Sequence, residues 1–383
     1  MIVLALNTGS SSVKAALYDV TELAEPGSTP PKPLWLREQR ADESVDDLVK
    51  SLTRDDTPAL RSLDAIDIVG HRIVHGGSAL VDSVRVTTDV RSTIERATEH
   101  ASEHNERALD ALDDVSRLLG AGVPQVAVFD TAFHITLPPA AYTYAGPFEW
   151  LARGIRRFGF HGISHRYAAH RAAQLLRRDV SALRVVTCHL GGGCSLAAVR
   201  NGRSVDTTMG FTPLDGVAMS RRSGAVDPGI LIHLLRREGH DAESLDRMLN
   251  HESGLAGLSG TNGDMRDVLA AVDAGDERAR LALDVYVHRI RQAIAAMAAS
   301  MHGLDALVFT GGVGEHAPRV RAAICEGLAF LGIDLDSATN ARTSTDAVCS
   351  ANDAKVAVLV VRAEENWAIA QECLRVAFDE SGR

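Results

Sequence analysis

"LALNTGSSSVKAALYD", residues Leu4 to Asp19, sets two apolar runs around a small polar loop. Asn7 stands before the loop and Lys14 just after it. The flanking runs read as strands, but a plain hairpin needs only a two-residue turn such as Asn-Gly. A longer loop of Thr, Gly and Ser has another use. Gly lets backbone N–H groups approach an anion with no Cβ in the way, Ser hydroxyls add donors, and Lys14 supplies a point charge.

The same pattern returns almost half the chain later. "HLGGGCSLAAV" (189–199) lies over "NTGSSSVKAAL" (7–17), with Gly9 on Gly191, Ala15-Ala16 on Ala197-Ala198 and Leu17 on Val199. This predicts a duplicated domain whose two hairpin loops face one another across a cleft. A third small-residue turn, "LVFTGGVGEH" (307–316), ends a strand and leads into a helix, whose positive end also suits an anion. Three such turns predict phosphate binding. GxxxxGK[ST] is absent, as is GxGxxG from the opening turn, so neither the P-loop nor the dinucleotide-binding reading applies.

The 383 residues suit two domains, with 45% hydrophobic content and a net charge of −10. The acidic balance argues against nucleic acid or an anionic membrane as partner. Lys occurs only at 14, 32, 50 and 355. With no charged-then-apolar leader and no apolar run near about 20 residues, the expected location is the cytoplasm. Cysteines 188, 194, 325, 349 and 373 form no C-x-x-C pair, so reduced thiols are expected. Strands alternate with helices throughout, which predicts α/β domains with mixed sheets. "PGSTPPKP", within 22–40, reads as a surface excursion. In "DPGILIHLLRREG", Asp227 suits an N-cap, Pro228 the first helical position and Gly239 the residue past the end; Pro318 opens another helix.

Ligands of open α/β sheets collect at the carboxyl ends of strands. Asp130 ends "VAVFD", Glu315 follows "LVFTGGVG", and Glu364-Glu365 follow "VAVLVV". The last pair suits either a helix N-terminus, through its dipole, or a Mg²⁺ ion beside phosphate. Arg72 in "GHRIVHGG" and Arg222 in "MSRRSGAVDPG" lie in Gly-bearing turns and suit a bidentate grip on carboxylate or phosphoryl oxygens. In "RRFGFHGISHRYAAH", Gly162 and an N-cap at Ser164 put His161 ahead of the helix that holds His165, which argues against a shared zinc. His161 is then either a donor to phosphate or a structural His bonded to backbone.

"NTGSSSVK", "GHRIVHGG", "VFDTAFH", "RRFGFHGISH", "HLGGGCS", "DTTMGFTPLDG", "RSGAVDPG", "GDMRD" and "FTGGVGEH", in that order from Ile2 to about Ala370, closely resemble the acetate kinases. That family lies within the superfamily of acetate and sugar kinases, chaperone ATPases and actin. The resemblance implies two duplicated actin-like ATPase (ribonuclease H-like) domains of α/β class, with mixed sheets flanked by helices and a cleft between them. The first would cover 1–140 plus about 367–383, and the second, nucleotide-binding domain 141–366. It also implies ATP as co-substrate, Mg²⁺ (or Mn²⁺), a homodimer, and a small carboxylate as the phosphoryl acceptor.

Carried over by residue, the resemblance assigns Asn7 and Glu365 to the metal and Ser10, Ser12 and Lys14 to the phosphates. His189, Leu190, Gly191, Gly192 and Gly193, then Asp264, Met265 and Arg266, then Gly312, Val313, Gly314, Glu315 and His316 would line the nucleotide. Arg72 and Arg222 would bind the acyl carboxylate and the phosphoryl group, His161 would donate to that group, and Asp130 would hold the arrangement. Val74, Phe160 and Pro213 would wall a small acyl pocket.

A simple aliphatic acid titrates near the Glu side chain, at about 4.3, and is already an anion at pH 7. It needs positive charge and no general base, which Arg72, Arg222 and His161 supply better than a sugar kinase's single Asp would. The chain departs from the family at Gly192, where Asn is usual, and at His316, where "GEN" becomes "GEH". "TNEE" becomes "AEEN", which favours Glu365 over Glu364 for the metal. "LAPLHNP" becomes "HASEHNE" (100–106) and puts Glu103 where an apolar residue would meet the acyl methyl. Propionate, butyrate or another small acid therefore stands beside acetate as an alternative acceptor. A non-catalytic ATP-binding protein is the remote alternative, since both arginines are present.

Overall fold

The opening stretch does form two strands, β1 (Ile2–Thr8) and β2 (Ser12–Asp19), paired antiparallel with Asn7 opposite Lys14. The structure, a computed structural model, describes residues 1–9, 12–20, 22–40, 43–54, 58–98, 102–343 and 345–381, without the side chains of 102–104 and 380–381. The chain divides into two compact units. The first comprises Met1–Ile135, Phe160–Arg171 and Glu364–Arg383; the second comprises Thr136–Gly159 and Ala172–Ala363.

The first unit holds a six-stranded sheet in the order β3-β2-β1-β4-β6-β5, adding β3 (Trp35–Arg40), β4 (Ile68–Ile73), β5 (Val84–Arg85) and β6 (Gln125–Phe129). The second unit's sheet runs β11-β12-β10-β7-β8-β9, from β7 (Arg184–Leu190), β8 (Cys194–Arg200), β9 (Arg203–Thr207), β10 (Ala306–Thr310), β11 (Ala347–Val348) and β12 (Ala357–Val360). Read outward from β1 or β7, every step matches. Two antiparallel neighbours lie on one side, two parallel strands on the other, and a two-residue antiparallel edge strand closes the row. The duplication read in one hairpin extends to both entire sheets, as expected of duplicated actin-like α/β domains.

The ungapped overlay of the two hairpins needs one correction. The Gly9 N–H donates to the Ser12 carbonyl, but the Gly191 N–H donates to the Gly193 carbonyl, one residue sooner. The second turn is therefore one residue shorter, and beyond it the copies slip by one. Ser195, opposite His189, is the counterpart of Lys14, opposite Asn7. The reading of 22–40 as surface excursion also needs revision, because its end is β3, an edge strand whose charged sequence "WLREQR" hides its pairing to β2. The Pro-rich part is fastened as well. Gln371 Nε2 donates to the Glu25 carbonyl at 2.8 Å, and Trp367 Nε1 donates to that of Ser28 at 3.1 Å.

Alternate side chains along the strands put Leu4, Leu6, Ala15 and Leu17 of the first sheet into one core with Leu48, Val49 and Leu52 of the helix Val45–Arg54. On the opposite face the helix Glu365–Ser381 comes so close to β4 that a Cβ at Gly70 would overlap Cys373 and Ile369. In the second unit the helix Glu277–Ser300 buries Tyr286, Ile290 and Ile294. Capping follows the sequence in the helix Pro228–Arg237: the Asp227 side chain accepts from the Gly229 N–H, and Gly239 has φ +76°. Among the described residues no helix is long and apolar enough to cross a membrane.

His71, on β4, is buried. Burial pushes its pKa down to about 4. Between the ordinary value of about 6.5 and that lowered value the unfolded chain takes up a proton that the folded chain refuses. Stability therefore falls as pH drops through this window, by up to about 1.4 kcal/mol per pH unit. Urea midpoints measured from pH 7.5 to 4.5 should fall faster for the wild type than for His71→Leu; parallel lines would show that His71 titrates alike in both states.

Candidate active site

β4 delivers Arg72 at its carboxyl end, and β6 delivers Asp130 immediately beyond its own. Arg72 places Nε and Nη2 at 3.0 and 2.6 Å from the same Asp130 oxygen, Oδ2. Its Nη1 donates to Asn7 Oδ1 at 3.0 Å, and Asn7 Nδ2 donates to Glu365 Oε2 at 2.7 Å. Four predicted site residues, drawn from three neighbouring strands and the first turn of the C-terminal helix, thus form one hydrogen-bonded chain. Asp130 is fully buried, Asn7 is buried, and the Arg72 side chain is only 12% exposed.

One cation here serves two carboxylates. Burial lowers the Arg72 guanidinium, but Asp130 and Glu365 more than reverse this, so its pKa is shifted upward. Burial raises Asp130, Arg72 pulls it back, Glu365 pushes again, and the net direction is up. The two carboxylates raise Arg72, whereas burial is the main cause of the rise at Asp130. Asp130 Oδ1 is buried with no hydrogen-bond partner. With the oxygens of Glu365 and Asn7 it makes a hard donor set of the kind that suits a small divalent cation, which keeps most of its coordination for water and phosphate.

His161 follows by backbone rather than by spacing. The Gly162 N–H donates to the Asp130 carbonyl at 2.8 Å, and a Cβ on Gly162 would strike that same oxygen. His161 has φ +55°, and its carbonyl accepts the His165 N–H as the first helical bond. The helix Gly162–Leu175 thus begins two residues before the expected cap, and Ser164 lies inside it, buried. Asp130 replaces the Ser cap by taking a first-turn N–H. Val74 and Phe160 are buried, the latter edge-on to His75 with ring centroids 5.5 Å apart. Ser12 and Lys14 both turn toward Glu38 on β3, at 2.8 and 3.8 Å. Ser10 lies outside the described residues, as does the Glu103 side chain.

In the second unit Arg222 ends a tight turn, with the Met219 N–H donating to its carbonyl at 3.1 Å. Its Nη1 donates to the Pro213 carbonyl at 2.9 Å. Gly254 and Gly263, both at positive φ, bring their backbones against Met219 and Ser220, where a Cβ would collide. The Ser220 N–H donates to the Gly192 carbonyl at 3.1 Å, which ties this turn to 189–193. Asp264 caps the helix Met265–Asp273, and the exposed Arg266 folds back onto it at 2.6 and 3.0 Å.

Glu315 is buried, and its Oε1 takes the N–H groups of Gly311 and Ala363 at 3.1 and 2.9 Å, joining the ends of β10 and β12. Arg321, which the sequence did not single out, braces the same segment. Fully buried, it donates to the carbonyls of Gly314 and Glu315 at 2.9 and 2.8 Å and to Asn340 Oδ1 at 2.8 Å. Its acceptors are all neutral, and burial lowers its pKa.

The chain belongs to the acetokinase family. The family's model matches residues 31–371. The acetate kinase of Gloeobacter violaceus is 50% identical, over 97% of this chain and 98% of its own; that of Trichormus variabilis is 48% identical over the same shares. Among solved structures, Porphyromonas gingivalis acetate kinase is similar at TM-score 0.88 and 38% identity, covering 98% of this chain and 99% of its own. A propionate kinase from Francisella tularensis follows at TM-score 0.86 and 34% identity, with the same coverage.

The glycines separate fold from ligand. Gly311 has φ +77°, and a Cβ there would lie 2.8 Å from the Leu190 carbonyl oxygen, so the chain itself needs it. Gly192 and Gly312 have ordinary φ and nothing within 4 Å of a Cβ. Both positions therefore leave room beside the backbone. Gly312→Val should change stability by no more than about 0.5 kcal/mol and abolish most of the upward shift in melting temperature that saturating ATP gives. An undiminished shift would free Gly312 from any ligand role.

Proposed function

We propose that the protein phosphorylates a short-chain carboxylate with ATP, acetate above all, giving acyl phosphate and ADP reversibly by one in-line transfer. The observation that carries this reading is the grip of Arg72 on Asp130: Nε and Nη2 both lie on one oxygen of a fully buried carboxylate, which fixes a guanidinium charge at the carboxyl end of β4. An ionised acid needs that charge and no base.

Arg72 and Arg222 draw the carboxylate toward the terminal phosphorus and stabilise the charge spread over the equatorial oxygens, a contribution of order 10³ to 10⁵ in comparable transfers. A carboxylate oxygen attacks phosphorus, the bond to the bridging oxygen breaks, and ADP leaves with the electron pair. Asp130 holds Arg72 in direction, and His161 donates to the phosphoryl oxygens. Val74, Phe160 and Pro213 bound the acyl group. His189 to Gly193, Asp264 to Arg266 and Gly312 to His316 receive the nucleotide, with Ser10, Ser12 and Lys14 at its phosphates. Asn7 and Glu365, beside the unpartnered Asp130 oxygen, fit Mg²⁺ or Mn²⁺, which when bound neutralises phosphate charge.

A second acceptor, propionate, rests on the similarity to the Francisella propionate kinase. Five buried, free cysteines suit action in the cytoplasm. We infer a homodimer as well. The helix Pro228–Arg237 buries none of its residues and leaves Ile232 and Leu235, three apart on one face, about half exposed, a face that a second copy would cover.

Acyl phosphate trapped with hydroxylamine across acetate, propionate and butyrate tests the acceptor, with acetate expected to give the highest kcat/KM. A higher value for propionate would move the assignment, and no hydroxamate from any acid with MgATP would end it. Light scattering should give twice the 40.9 kDa chain mass and a lower mass for Ile232→Glu; a monomeric wild type would refute the dimer.

A further inference from the structure

We infer that Arg157, with Tyr144, is a positioning residue for phosphoryl transfer, setting the turn whose Pro213 carbonyl aims the Arg222 guanidinium. The inference rests on the role just given to Arg222.

One Arg157 nitrogen, Nη1, lies 3.1, 2.7 and 3.0 Å from the carbonyl oxygens of Thr207, Thr208 and Met209. Successive residues of a regular strand alternate in direction, so three consecutive carbonyls meet at one point only where the chain curls as it leaves β9. Their dipoles repel one another, and the cation at their focus holds the curl. Asp215 Oδ2, at the far end of the same turn, is 3.4 Å from that nitrogen. Between these ends, the Phe211 N–H donates to Tyr144 Oη at 2.8 Å, and the Phe158 N–H donates to the Gly210 carbonyl at 2.9 Å. Gly210 has no room for a side chain, because Tyr144 Oη and Asp215 Oδ2 occupy its place.

Pro213 lies inside the turn so fixed, and its carbonyl receives Arg222 Nη1 at 2.9 Å. The Arg222 backbone is anchored separately, through Met219 and through the Ser223 N–H to the Leu249 carbonyl at 3.0 Å. Loss of Arg157 therefore leaves Arg222 in place along the chain but misdirects its guanidinium. Misplacement by about 1 Å can cost on the order of 100-fold in rate.

A double-mutant cycle with Arg222→Ala tests this. Arg222→Ala alone should lower turnover at least about 100-fold. Arg157→Ala alone should lower kcat by about 10- to 100-fold and raise KM for the acid, with KM for ATP within about twofold. Arg157→Lys, which keeps the charge but loses the planar reach, should fall between. In the Arg222→Ala background Arg157→Ala should cost less than about threefold, since residues acting as a unit are non-additive. Equal losses in both backgrounds, or equal rises in both KM values, would overturn the inference. If Arg157→Ala does not fold, Arg157→Lys and Tyr144→Phe carry the same cycle with the same criterion. A wild type that forms acyl hydroxamate while the cycle is additive refutes only this inference; a wild type that forms none refutes the acceptor reading beneath it.

Discussion

Arg72 is the one cation for two carboxylates, and the first unit's site is arranged around that shortage. Three of its donors go to Asp130 and Asn7, while Asn7 passes a donor of its own on to Glu365. Taking these charges out of water is costly, and a buried pair survives only with good geometry and its remaining hydrogen bonds satisfied. Here the geometry is good, but one Asp130 oxygen stays unpartnered. Such an arrangement is stable enough to exist and unsatisfied enough to welcome further positive charge. A kinase that must bring together a polyphosphate and an anionic acceptor needs that property, because each anion can approach only with cations already in place.

The duplicated sheets show what topology does and does not transmit. The six strands of each unit repeat in order and direction, yet equivalent positions hold unlike chemistry. Asn7 corresponds to His189 and Lys14 to Ser195, because the second turn closes one residue sooner. The longer first turn keeps Gly9 tight against the Ser12 carbonyl, with 3.1 Å left for a Cβ, whereas Gly192 faces open space. One scaffold thus presents a hydroxyl-bearing turn in one copy and bare backbone in the other.

Features with a local cause were legible in the sequence. The hairpin, the Asp227–Pro228–Gly239 boundaries and the charged residues at strand ends all follow from a few neighbouring residues. Features settled by tertiary partners were not. β3 reads as charged surface because an edge strand needs no apolar alternation. The strands β5 and β11 have two residues each and carry no period at all. Ser164 has the right chemistry for a cap, but the Asp130 carbonyl, far away in sequence, starts the helix earlier. Arg157 in an "RR" pair and Arg321 amid other charges look like solvated arginines. Only the convergence of backbone carbonyls on each shows that their charge is used inside.

These two arginines share a logic with Arg72 that sets the second unit apart. Arg72 is aimed by a carboxylate, which also claims its charge. Arg321 meets only neutral acceptors, and Arg157 meets three carbonyls with Asp215 at the longer 3.4 Å. A carbonyl orients a guanidinium without neutralising it, so the acceptors around Arg321 leave its charge uncancelled. Arg222 is held the same way, by the Pro213 carbonyl. Carboxylates in their place would bind the guanidiniums more strongly, but would compete with phosphate for the same donors.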